Sequence, residues 1–319
     1  MKKENKELSS LKIICPAYNE EDVIQIFFNE LVKILETIES KYNWSILFVL
    51  DGIQDSTISI LKDLSVDNKK VGVLVLSKNF GHQAALVAGI DYSDSDVIIM
   101  MDSDLQHPPE LIPKLLRAYE DGNDVVYTIR NKPLDKSLLK RFSSNFFYSL
   151  MNRLSDMKLE SGEADYRLIS RRVANVFKNN IREQNQFLRG LFSWVGFKRH
   201  GIRFDSVERM HGESKYNFSK MKKLALSGIV SFSKKPLQYA IGVGLFFAFV
   251  GFFSGLYSFG MYFIDDKIPS GWTTLSILIS FFGGLQLLFL GVVGEYIGAI
   301  FDEVKARPIY IVEDKINIE

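Results

Sequence analysis

The chain has 319 residues, 47% of them apolar, and a formal net charge of +1. At about 150 residues per domain this is one large domain or two ordinary ones, and so even a balance leaves no electrostatic footprint for a nucleic-acid partner. A single cysteine, Cys15, excludes an internal disulfide.

Met1 to Ser10 is polar and no long apolar core follows, so no signal peptide is expected. Leu11–Cys15 reads as a first strand ending at Pro16. Pro16-Ala17-Tyr18-Asn19-Glu20 is a loop. Glu21–Ser40 carries Ile24, Phe27, Phe28, Leu31, Ile34, Leu35 and Ile38 at helical spacing. Trp44–Leu50 is a second strand ending in Asp51-Gly52, and Asp55-Ser56-Thr57 caps a helix through Leu64. Val71–Leu76 is a third strand. Asn79-Phe80-Gly81-His82-Gln83 then leads into a helix of small residues. Asp96–Met101 is a fourth, buried strand. Pro108 and Pro109 stop it and open a helix to Glu120, before a fifth strand at Asp124–Thr128.

Strand and helix alternate at short intervals, which predicts a mostly parallel α/β sheet covered on both faces. Ligands of such sheets bind beyond the carboxyl ends of the strands, where Tyr18, Asp51, Asn79, Asp102 and Asp104 all fall. Asp102 and Asp104, two apart in extended chain, point to the same side. Two hard oxygen ligands suit Mg2+ or Mn2+ bridging phosphates; the plain alternative is a polar turn before the prolines. His107 reads as a solvated turn histidine. Neither a G-x-G-x-x-G after the first strand nor a G-x-x-x-x-G-K-[ST] occurs, which disfavours a dinucleotide redox enzyme and a P-loop ATPase.

Further on, Leu138, Phe142, Phe146, Leu150 and Leu154 repeat every four residues among Lys136, Lys140, Arg141 and Arg153. Such a helix lies in a membrane interface or packs on the sheet. A second basic segment, 216–235, reads as an interfacial amphipathic segment and leads into Pro236–Ile264, which has no charged residue; Ile268–Gly294 has none either. Each run exceeds the roughly 20 residues that cross a bilayer, so two transmembrane helices are expected over 236–301. Lys234, Lys235, Lys305 and Arg307 flank the pair, whereas the connecting loop holds Asp265, Asp266 and Lys267. Positive flanks stay inside. A multi-pass protein is expected, with its domain of residues 1–215, the tail of residues 302–319 and both termini in the cytoplasm. Glycines at 242, 244, 251, 255, 283, 284 and 291 suggest close helix packing.

The set Pro16-Ala17-Tyr18-Asn19-Glu20, Asp51-Gly52 with Asp55 and Thr57, Asn79-Phe80-Gly81 and Asp102-Ser103-Asp104-Leu105-Gln106 resembles the family 2 glycosyltransferases of the GT-A fold. Asp165-Tyr166-Arg167-Leu168, Arg189-Gly190, Arg209 with Gly212-Glu213-Ser214-Lys215-Tyr216, and Gly294-Glu295-Tyr296-Ile297-Gly298 before Arg307-Pro308 are similar to the polyprenyl-phosphate members. These include bactoprenol glucosyltransferases and dolichyl-phosphate mannose synthases; the two C-terminal spans match the bacterial bactoprenol type.

The resemblance implies inverting transfer of one sugar from a nucleotide-sugar to a polyprenyl phosphate at a bacterial inner membrane. UDP-glucose with undecaprenyl phosphate is the leading pair, and GDP-mannose is the other donor. It implies that Pro16, Ala17, Tyr18, Glu20 and Asp51 bind the nucleotide-sugar together with Asp102, Asp104 and Gln106, which also hold Mg2+ or Mn2+. Asp165 matches the position proposed as catalytic. Arg130, Arg141, Arg209 and Lys215 are candidates for the acceptor phosphate. Family members form homo-oligomers, including tetramers. The family has two adjacent aspartates followed by Gly-Ser where this chain has Leu50 and Ile53 at the outer positions, which opens the choice of nucleotide. A salt bridge from Asp165 to Arg167 or Arg171 is an alternative to its catalytic role. Two rival functions remain: a processive polysaccharide synthase, because Gln186-Phe187-Leu188-Arg189 gives four positions of Q-x-x-R-W, and an inactive membrane scaffold.

Overall fold

The structure is a computed structural model, and it describes residues 8–131, 160, 162–205, 233–262 and 271–318. Arg141, Arg209 and Lys215 lie outside the described residues. So do the amphipathic segment 138–154 and all but the last three residues of 216–235.

Four apolar runs form the centre of the sheet: β1 (Ser9–Ala17), β2 (Tyr42–Asp51), β3 (Val71–Leu76) and β4 (Val97–Met100). They pair in parallel in the order β3-β2-β1-β4. Each returns through a helix: α1 (Ile24–Thr37), α2 (Thr57–Asp67) and α3 (His82–Asp91). A short 3-10 turn, Pro109–Leu111, and α4 (Ile112–Glu120) lead to β5 (Val125–Arg130). Three strands were not expected from the sequence. β6 (Glu163–Ser170) inserts antiparallel between β4 and β5, β7 (Arg199–Phe204) adds parallel to β5, and β8 (Val312–Ile316) adds antiparallel to β3. The result is an eight-stranded sheet, β7-β5-β6-β4-β1-β2-β3-β8, among the described residues. Between β6 and β7 lie α5 (Arg171–Asn179) and α6 (Leu188–Trp194).

Strand alternation feeds two cores. Ile13, Cys15, Phe48 and Leu50 pack under α1 and α4 with Phe27, Leu31 and Leu115. Ile14, Leu47 and Val49 face the other way, onto Ala85, Leu86, Val173, Phe177 and Phe192 of α3, α5 and α6. Burying one such side chain contributes roughly 1.5–3 kcal/mol, so a one-residue slip of any central strand is strongly opposed.

α7 (Lys235–Tyr262) and α8 (Trp272–Lys305) contain stretches long and apolar enough to cross a membrane. Phe246, Phe249, Phe253, Leu287 and Leu290 are exposed on them. Phe247 bridges the helices, with ring centroids 5.4 Å from Phe281 and 5.6 Å from Phe282. Gly242, Gly244, Gly251, Gly283, Gly284 and Gly291 face open space, so these six do not mediate that contact; the surroundings of Gly255 lie outside what the structure describes. After α8 the chain returns to the sheet. Ile309 and Tyr310 pack on the second core, the Tyr310 hydroxyl donates to Asp91 Oδ2 at 2.7 Å, and Asn317 Nδ2 donates to the Ser65 and Val71 carbonyls. Residues set apart as a tail by the sequence therefore complete the edge of the sheet beside β3.

Candidate active site

The carboxyl ends of β1, β2 and β4 and the amino end of the antiparallel β6 surround a cavity of about 660 Å³. Its floor is two loops tied together. Asn19 takes a left-handed φ of 53° and its Oδ1 accepts from the Gln54 N–H at 3.0 Å. The Glu20 N–H donates to Thr57 Oγ1 at 3.0 Å, the Glu21 N–H to Asp55 Oδ2 at 3.2 Å and the Ser56 N–H to Glu21 Oε2 at 3.0 Å. Asp55 also receives the Thr57 N–H, so it does close α2 locally while reaching across to the first loop. Gly52 has a φ of +69°, and a Cβ there would lie 2.2 Å from the Asn79 nitrogen; only glycine lets the β2 and β3 loops approach this closely.

Asp51 is 4% exposed and lines the cavity. One carboxylate oxygen accepts the Phe80 N–H at 2.6 Å and the other the Gly81 N–H at 2.8 Å. Burial pushes this carboxyl up, against the pull of those two bonds. Asp51 therefore clamps the loop before α3, a role the sequence reading did not include.

Asp102 and Asp104 face the same cavity, beside Pro16, Ala17, Tyr18 and Glu20. Ser103 Oγ donates to the Pro16 carbonyl at 3.0 Å, which fixes the turn against β1. Leu105 turns at a φ of 60°, and the Gln106 N–H returns to Asp104 Oδ1 at 3.1 Å. Among the described residues no group of three or more His, Cys, Asp or Glu side chains is placed to hold a metal ion. The two carboxylates still fit a hard divalent cation that takes its remaining ligands from water and phosphate. Gln106, expected to join them, has its Oε1 3.4 Å from Arg130 Nη1.

His107 is not solvated: it is fully buried, stacked on Tyr166 at 5.1 Å, with Phe204 at its edge. Proline-flanked polar sequence suggested a surface turn, but the turn folds under β6. Burial lowers the His107 pKa and keeps the ring neutral. The Asp102 N–H stands 3.0 Å from Nδ1, and Arg130 Nη2 stands 2.9 Å from Nε2. A neutral ring accepts on one side only, so these two donors compete for it. Arg130 is thus at the cavity wall, joined to both Gln106 and His107.

Asp165, on β6, lies at the far wall. Arg189 holds it with two parallel bonds, Nε to Oδ1 at 2.9 Å and Nη2 to Oδ2 at 2.7 Å. Arg167 is 3.5 Å away on the buried side. Arg171 instead pairs with Asp96 at 3.2 Å. Burial pushes the Asp165 carboxyl up, but Arg189, Arg167 and His82 outweigh it and hold it well below the usual carboxylate range. His82, in the first turn of α3, has Nε2 3.3 Å from Asp102 Oδ1 and 3.9 Å from Asp165 Oδ2. It therefore bridges the two acidic walls. Sequence reading missed both His82 and the partnership of Arg189. Their only signals were Asn-Phe-Gly-His-Gln and the partial Q-x-x-R.

Residues 12–177 match the family model described as Glycosyl transferase family 2. The chain is 40% identical over 310 residues to "Uncharacterized glycosyltransferase YkcC" of Bacillus subtilis (strain 168), covering 96% of this chain and 94% of that one. The chain belongs to glycosyl transferase family 2. It is also 38% identical to "SfII prophage-derived bactoprenol glucosyl transferase" of Shigella flexneri, covering 95% of this chain and 97% of that one. Mannosyl-3-phosphoglycerate synthase from Rubrobacter xylanophilus superposes with a TM-score of 0.45 at 13% identity, over 69% of this chain and 71% of that one. The fold is that of a family 2 glycosyltransferase: a mostly parallel sheet with flanking helices, followed by two apolar C-terminal helices.

Proposed function

We propose that this glycosyltransferase moves a single sugar, with inversion, from a nucleotide-sugar to a polyprenyl phosphate at the cytoplasmic face of a bacterial inner membrane. The leading pair is UDP-glucose and undecaprenyl phosphate. The observation that carries the reading is the joining, in one cavity, of Asp102 and Asp104 with Asp165, in a chain whose C-terminal helices are long enough to span. The 38% identity with a bactoprenol glucosyl transferase over 95% of the chain supports the acceptor.

Pro16, Ala17, Tyr18 and Glu20 would bind the donor at the end of β1, above the loop that Asp51 clamps. Asp102 and Asp104, with Gln106 beside them, would hold Mg2+ or Mn2+, and the bound cation would supply charge neutralisation for the leaving diphosphate. An acceptor phosphomonoester has a second pKa of about 6, so at neutral pH most of it is already a dianion. One of its oxygens attacks the anomeric carbon, the bond to the diphosphate breaks, and the leaving group keeps the electron pair. The product is a phosphodiester monoanion and no proton has to be removed. Asp165, held far below the usual range, is a poor proton acceptor and suits this demand; its contribution is orientation. Arg130, at the end of β5 beside β6, would meet the acceptor phosphate, with Arg141, Arg209 and Lys215 as further candidates. Lys234 and Lys235 at the start of α7 suit an anionic leaflet, and homo-oligomers are proposed.

Purified protein in detergent, given radiolabelled UDP-glucose, GDP-mannose or UDP-N-acetylglucosamine, tests this. The expected product is a lipid carrying one sugar, formed with Mg2+ or Mn2+ and lost in excess chelator. A polymer, or full activity in chelator, would refute it.

A further inference from the structure

His82 opens α3 and lines both the 660 Å³ cavity and a second one, of about 510 Å³, that adjoins it. Its Nε2 stands 3.3 Å from Asp102 Oδ1 and 3.9 Å from Asp165 Oδ2. An ionised carboxylate only accepts hydrogen bonds, so a ring nitrogen that faces two of them carries its proton. Charge-assisted bonds to carboxylates run at about 2.7–2.9 Å. At the longer distances here the N–H is committed to neither wall, and 40% of the side chain is open to solvent.

The backbone beneath this ring is held from both sides. Before it, the Phe80 and Gly81 N–H groups donate to Asp51 at 2.6 and 2.8 Å, and the Ala85 N–H donates to the Gly81 carbonyl at 3.1 Å. After it, Gln83 Oε1 accepts the Leu188 N–H at 3.2 Å, which fastens α3 to α6. A fixed main chain that carries an uncommitted donor is pre-organised for a ligand. A histidine whose task was to pair the two acids would close on one of them instead.

In the reaction set out above, the diphosphate departs at Asp102 and Asp104 and the acceptor is oriented at Asp165. The sugar changes hands between those walls, beside Nε2. We propose that His82 contacts the transferring sugar, its Nε2–H donating to one hydroxyl of the hexose. The proposal rests on the sugar-transfer reading above. It makes His82 a determinant of which sugar is accepted, since a site built to hydrogen-bond a hydroxyl rejects the analogue that lacks it. That task is separate from holding the nucleotide and the diphosphate.

The test is calorimetry on the full chain in detergent with Mn2+. Two ligands are compared: whichever of UDP-glucose, GDP-mannose and UDP-N-acetylglucosamine binds wild type most tightly, and its nucleoside diphosphate without the sugar. H82A is expected to bind the nucleotide-sugar about tenfold more weakly and the nucleoside diphosphate within about twofold of wild type. H82Q, whose amide keeps a donor near the Nε2 position, is expected to lose less than about threefold. Monodeoxy forms of the sugar are then tried in turn. One of them should bind wild type about tenfold more weakly than the parent, yet bind H82A as well as the parent does. Equal losses of both ligands in H82A would put the ring on the diphosphate or the cation site and overturn the proposal. So would unchanged binding of both, an H82Q no better than H82A, or deoxy sugars that H82A and wild type discriminate alike. Should H82A lose its cooperative melt, H82L takes its place in the same comparisons. A wild type that binds a nucleotide-sugar but glycosylates no lipid phosphate sinks the acceptor reading instead, a different result from any of these.

Discussion

Substituting Gly52 by alanine tests how the donor cavity is built. The residue sits at a φ of +69°, where an L side chain costs about 1–2 kcal/mol. The added Cβ would lie 2.2 Å from the Asn79 nitrogen, 2.5 Å from the Lys78 carbonyl carbon and 2.8 Å from Asn79 Cα. All three are backbone atoms, so the β2 and β3 loops must part. Parting them strains the two bonds from Phe80 and Gly81 to the Asp51 carboxylate, and hydrogen bonds to a charged group are each worth about 1.5–3 kcal/mol. Losing one of them in addition to the φ cost gives a destabilisation of about 2.5–5 kcal/mol. For a catalytic domain of this size that is a fall in Tm of about 10 °C. Thermal unfolding in detergent measures it, and donor calorimetry on the same sample should show weakened binding. A G52A protein that melts within 2 °C of wild type, as that scale would then imply less than about 1 kcal/mol, and binds donor normally would refute the account of the cavity floor.

Other perturbations have separate readouts. Asp104→Ala should abolish the metal-dependent part of donor binding, seen by calorimetry with and without Mn2+, and should lower Tm without metal by what the lost Gln106 N–H bond contributes. His107→Leu removes the acceptor facing the buried Asp102 N–H, at about 1–3 kcal/mol; a lower Tm and weaker donor binding are expected. Deleting 307–319 strips β8 from β3 and removes the Tyr310–Asp91 bond. The deletion should aggregate through the bared strand edge, detected by light scattering.

The pH dependence of stability has a definite sign. In the wild type the Asp165 pKa is depressed, so its contribution is complete above the unfolded value of about 3.9 and is lost only as pH falls through the lower folded value. In R189Q burial acts against a weaker set of cations, the folded pKa rises, and stability is lost as pH increases. The gap in Tm between the two proteins should therefore widen from pH 4 to pH 7; a constant gap would contradict the pairing.

The sequence by itself determined the doubly wound half of this fold. Strands β1 to β4 are continuous apolar runs because both their faces are buried, and that leaves a local signature. The helices after β1 and β2 repeat apolar residues at helical spacing, and the aspartates at the ends of β2 and β4 follow from the sheet rule. The absence of charge over 236–264 and 268–294 is equally local. β6, β7 and β8 left no such mark. β6 carries Glu163, Asp165 and Arg167, which read as polar until Arg189 and Arg199, 24 and 36 residues away, neutralise them. Burial of His107 depends on Tyr166 and Phe204, and the return of 312–316 to β3 depends on where α8 ends. Contacts across such separations are decided by which strands become neighbours, and only the tertiary structure sets that.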